Sequence, residues 1–109
     1  EDTRAVPFSN LIYVGDGETD VPAMKMVNLY GGTTIAVYNP NSIATPSHPR
    51  SSKDVCIDLI RQNRADYIAP TIYTENSELD IILKKIIDKV AMEQDLLNIK
   101  YQELNAEKP

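Results

Sequence analysis

Two carboxylates stand four residues apart where a short apolar run ends: Asp16 in Gly15-Asp16-Gly17, and Asp20 in Asp20-Val21-Pro22. Gly15 and Gly17 take side chains away from beside Asp16, so the backbone can turn sharply and a ligand can approach closely. Hard oxygen ligands at such a corner suit Mg²⁺, which takes one or two carboxylates and completes its shell with waters and substrate phosphate. The exposed amides that open the following helix add a favourable surface for an anion. The structural alternative is plain. Asp20 can serve only as a helix N-cap, worth about 1 kcal/mol, and Gly-Asp-Gly can be only a tight turn. Context favours a metal site, because a strand precedes the pair, a capped helix follows it, and a second strand comes in phase.

The elements that must position this corner can be read from pattern. Leu11–Val14 is a run of four apolar or aromatic residues and predicts a fully buried strand. Asp20 at the N-cap and Pro22 in the first turn predict a helix start. Met24 and Val27, with Met26 and Tyr30, supply its apolar face, and Gly31-Gly32 ends it. Thr34–Tyr38 is the next strand. Strand, helix and strand in that order imply a right-handed crossover and parallel strands. Ligands of open parallel sheets sit at the carboxyl ends of the strands, where both aspartates lie.

Beyond this unit, Asn39–Ser52 reads as a loop rich in Pro, Ser and Asn. Ser51 and Asp54 form a weakened capping pair ahead of a helix over Lys53–Asn63. Asp66–Ala69 is a short strand candidate limited by Pro70. A long helix runs from Ser77 to Ala106. Leu79, Leu83, Ile86, Val90, Leu97, Tyr101 and Leu104 recur along it at spacings of four and three, interrupted at Glu93 and Gln94. That seam either covers the sheet or pairs with a partner helix, and the polar stretch after Val90 favours a partner. The chain thus divides into an α/β part over 1–74 and a long amphipathic helical part over 75–109.

Gly15-Asp16-Gly17-Glu18-Thr19-Asp20-Val21-Pro22, followed by Gly31-Gly32-Thr33-Thr34-Ile35-Ala36-Val37-Tyr38, resembles the fourth motif of the haloacid dehalogenase (HAD) superfamily of hydrolases. The phosphoserine-phosphatase-like branch is the most similar. Val6–Tyr13 and Ala65–Pro70 also look like family sequence, and the resemblance spans about residues 5–85. It implies a partial Rossmann-like, three-layer α/β core with a short parallel sheet, and Mg²⁺ held by Asp16 with Asp20 in support. It further implies a small phosphorylated substrate hydrolysed through an aspartyl-phosphate.

The family's nucleophile motif, Asp-x-Asp, occurs nowhere in the chain. No Lys precedes Lys25, and Arg4 is the only basic residue before Asp16. The expectation is therefore the carboxyl-terminal part of a longer phosphatase, without catalytic residues of its own and inactive alone. In the family sheet the nucleophile strand lies beside the strand equivalent to Leu11–Val14. That strand should then have a bare edge, and self-association through this edge or through the last helix is expected. A rival reading is a non-catalytic interaction module whose terminal helix dimerises.

Bulk properties narrow the classes. With 109 residues and 42% apolar content, one domain is expected. The formal charge of −5 argues against nucleic acid, which calls for a basic stripe. No run of 18 apolar residues predicts a membrane span, and Glu1-Asp2-Thr3-Arg4 does not open a signal peptide. The lack of an initiator Met predicts a processed or truncated piece. Cys56 is the lone cysteine, so a cytoplasmic, reducing setting is expected. It reads as a buried, inert thiol. His48, with Arg50, could reach a phosphate, or could simply be a solvated loop histidine.

Overall fold

The computed structural model describes residues 8–17 and 21–106. A 3-10 turn, Phe8–Asn10, leads into β1 (Ile12–Asp16), then α1 (Val21–Leu29), β2 (Thr33–Tyr38), α2 (Ser52–Arg61), β3 (Tyr67–Pro70) and α3 (Glu78–Ala106). The three strands form one parallel sheet in the order β1-β2-β3. Asp16 lies level with Val37, and Tyr38 with Pro70, so all three strands end on the same side.

The chain order explains the layering. Strand side chains alternate between faces. Ala36 and Tyr38 of β2 join Met24 of α1 and Cys56 and Leu59 of α2 in one apolar cluster, with Tyr13 and Ile68 packed against it. Ile35 and Val37 point the other way, against Leu79 and Ile86 of α3, with Ile12, Leu83 and Val90 alongside. Helices therefore cover both faces, and β2, paired on both sides, is the most buried strand. Buried Thr34 is held by its own network: its amide donates to Asp66 Oδ2 at 2.9 Å and its hydroxyl to the Arg64 carbonyl at 3.2 Å.

The reading of the first strand as fully buried is corrected. β1 extends through Gly15 to Asp16, and Val14 remains 36% exposed. The physical reason is position: among the described residues β1 is an edge strand, paired with β2 alone. The weakened capping pair is complete. Asp54 N–H donates to Ser51 Oγ at 3.2 Å, and Ser51 N–H donates to Asp54 Oδ2 at 3.3 Å. Gly31 closes α1 at φ +89°, a conformation favourable to glycine, and Gly32 N–H reaches the Val27 carbonyl at 2.9 Å.

In α3, Leu79 to Val90 covers about 17 Å at 1.5 Å per residue, the length of a five-residue strand. The helix has passed the sheet by Val90. The remaining 16 residues, to Ala106, are exposed throughout, Met92, Leu96, Leu97, Ile99, Tyr101 and Leu104 included. No helix among the described residues is long and apolar enough to cross a membrane.

Candidate functional site

β1 is short and apolar until Gly15, and it delivers Asp16 to the carboxyl edge of the sheet with its side chain exposed. Gly17 then turns the chain over α2. It is buried, and a Cβ there would lie 2.9 Å from Leu59 Cδ1 and 3.3 Å from Cys56 Sγ. Close passage of the backbone over α2 thus sets where Asp16 sits. Asp20, the second predicted metal ligand, lies outside the described residues, as do Glu18 and Thr19. Among the described residues, no group of three or more His, Cys, Asp or Glu side chains is gathered to hold a metal ion. Asp16 is the one carboxylate among the described residues that line the cleft at this strand tip.

Asp16 opens on a cleft of about 490 Å³. Its opposite wall is the segment between β2 and α2, which contributes Asn39, Ser42, Ile43, Thr45, His48 and Arg50, with Ser52 at its end. This wall is laced together. Ser52 N–H donates to Ser42 Oγ at 3.0 Å, and Asn39 N–H donates to Ser52 Oγ at 3.1 Å. Asn41 N–H donates to Asn39 Oδ1 at 2.9 Å. Thr45 and His48 exchange backbone bonds of 2.8 and 3.1 Å, and His48 N–H also reaches Thr45 Oγ1 at 3.1 Å. Arg50 is committed elsewhere: it pairs with the Asp58 carboxylate and donates to the Asp54 carbonyl at 3.0 Å.

The structure thus brings His48 and Arg50 to the same cleft as Asp16, with Arg50 already neutralised. Asn39, Ser42, Thr45 and Ser52 were not singled out by sequence reasoning. A signal existed, since a 13-residue segment without regular structure, at the carboxyl end of a central strand, is more often functional than incidental. Cys56 is buried as expected, its thiol donating to the Val37 carbonyl at 3.6 Å. Lys25 faces away from this cleft, lining a separate depression with Arg64 and Asp66.

No family model matches the chain, and no solved structure matches it. The chain is similar to an uncharacterized protein of Borreliella burgdorferi, with 31% identity over 87 residues. The matched region is 76% of this chain and 27% of that protein, so the chain spans little more than a quarter of the relative's length.

Proposed function

We propose that this chain is the Mg²⁺-binding, carboxyl-terminal part of a HAD-like phosphatase with a Rossmann-like core, inactive without its nucleophile. The observation that carries the reading is Asp16, at the tip of an edge strand and opening on a cleft at the carboxyl side of a parallel sheet. Among the described residues no strand pairs with the far side of β1, which is where the resemblance puts the nucleophile strand. Asp16 would hold the metal through its carboxylate, and Asp20 would support it. When bound, Mg²⁺ neutralises charge on the phosphoryl group during transfer. A relative more than three times the length of the matched region agrees with a polypeptide that carries more than this unit.

The test is to supply the upstream segment and assay a generic phosphomonoester with Mg²⁺. Asp16→Asn should lower turnover by at least about 10–100-fold, the loss associated with groups one shell further from a metal. Turnover unchanged by that substitution would remove the role assigned to Asp16.

A second reading, an interaction module with a dimerising helix, draws on the exposed end of α3. At 100° per residue, Leu97, Tyr101 and Leu104 continue the stripe of Leu79, Leu83, Ile86 and Val90 that seats on the sheet. Glu93 and Lys100 lie seven residues apart on one flank of it. An antiparallel pair of copies centred between them sets each Lys100 beside the other's Glu93, so the occupant this stripe favours is a second copy. Leu97→Asp should turn a sedimenting dimer into a monomer, whereas a wild-type chain that is monomeric at high concentration would rule out this pairing.

A further inference from the structure

The wall facing Asp16 carries a chemistry of its own. Ser42 and Ser52 each accept a backbone N–H through Oγ, which leaves their O–H protons to donate. Thr45 Oγ1 accepts the His48 amide and lies 3.4 Å from Ser47 Oγ. The carboxamide of Asn39 and the imidazole of His48 add groups that both give and take hydrogen bonds. The one guanidinium of the wall is spent on Asp58 and on the Asp54 carbonyl. Apart from Ile43 the wall is therefore polar, able to donate and accept, and its one Arg is compensated. At about 490 Å³ the cleft is of the size that takes a small molecule.

From this arrangement we infer that residues 39–52 recognise an uncharged, hydroxylated group, so that the ligand of the cleft is the phosphomonoester of a polyol or sugar. The inference rests on the reading of Asp16 as the phosphoryl end of the site. Hydroxyl groups match side chains that both donate and accept. A carboxylate or second phosphate on the ligand would meet no uncompensated Lys or Arg among the described residues of the lining, and its desolvation would go largely unoffset. Arg50 cannot serve such a group without giving up Asp58.

The test is an amide chemical-shift titration of the full chain in Mg²⁺ with glycerol 1-phosphate, inorganic phosphate and phosphoserine in turn. Glycerol 1-phosphate should move the amides of Ser42, Thr45 and His48, and inorganic phosphate should not. Phosphoserine, which carries a carboxylate and an ammonium group, should bind more weakly than glycerol 1-phosphate. His48→Gln and Ser42→Ala should each weaken glycerol 1-phosphate by about 2- to 10-fold, the effect of one hydrogen bond, and leave inorganic phosphate unchanged. An unmoved 39–52 segment overturns the inference, and so does a preference for phosphoserine. The reading of Asp16 is checked separately by replacing Mg²⁺ with Mn²⁺, whose paramagnetism should broaden Gly15 and Gly17. Absence of that broadening counts against the metal and not against the wall.

Discussion

Gly17→Ala is the substitution whose cost the structure specifies most closely. The added methyl would stand 2.9 Å from Leu59 Cδ1, 3.3 Å from Cys56 Sγ and 3.6 Å from Val55 Cγ1. The last is an ordinary contact and the first two are too close. Leu59 is 5% exposed and packed with Met24 and Cys56, so its methyl has no solvent to swing into. Overpacking of this kind costs about 1–3 kcal/mol. Taking about 2 kcal/mol and a urea slope of about 2 kcal/mol per molar, the unfolding midpoint should fall by about 1 M with the slope unchanged. Leu59→Val removes the offending Cδ1 and by itself costs about 1 kcal/mol for the lost methylene. If the clash is the cause, the double variant should be no less stable than Gly17→Ala alone, a coupling of about 1 kcal/mol or more. Strictly additive losses, or an innocuous Gly17→Ala, would refute the reasoning. Gly31→Ala supplies a contrast. Nothing lies within 4 Å of its Cβ position, but its φ of +89° is strained for alanine, so it should cost about 1–2 kcal/mol that Leu59→Val cannot recover.

Ser51→Ala removes half of the capping box and should cost about 1 kcal/mol in a denaturation midpoint, with Ser51→Asp restoring most of it. Asp80 accepts the Asn76 amide at 2.8 Å and pairs with Lys84 at 2.9 Å, and these hold its carboxyl below the usual range, the amide bond contributing most. A group depressed on folding adds stability that is present above the unfolded carboxylate value, about pH 4, and is lost as pH falls through the folded one. The stability gap between the wild type and Asp80→Asn should therefore narrow when unfolding is measured in acid rather than near neutrality.

The parts of this fold that could be read in advance were those with local causes. Gly31-Gly32 ends α1 because one residue needs a left-handed backbone, and Ser51 with Asp54 starts α2 because three residues separate a hydroxyl from a carboxylate. Both depend on a few neighbours in sequence. The exposure of Val14 depends instead on which strands flank β1, a matter of sheet order that four apolar letters do not encode. The cleft was half visible. Asp16 was marked by its flanking glycines, but Ser42, Thr45 and His48 come opposite it through bonds such as Ser52 N–H to Ser42 Oγ, ten residues apart and without periodicity. Arg50 looked like an anion ligand until Asp58, eight residues on, proved to be its partner.

A helix seated on the sheet for its first half and, among the described residues, exposed for its second should not melt as one piece. An isolated stretch of about 16 residues is marginal in water. Amide hydrogens near Leu83 should therefore exchange only when the sheet opens, and those near Asn98 far sooner, with a gradient between them. Whatever comes to lie against the terminal turns would flatten that gradient, so the protection profile along this one element reports, residue by residue, how far a partner reaches.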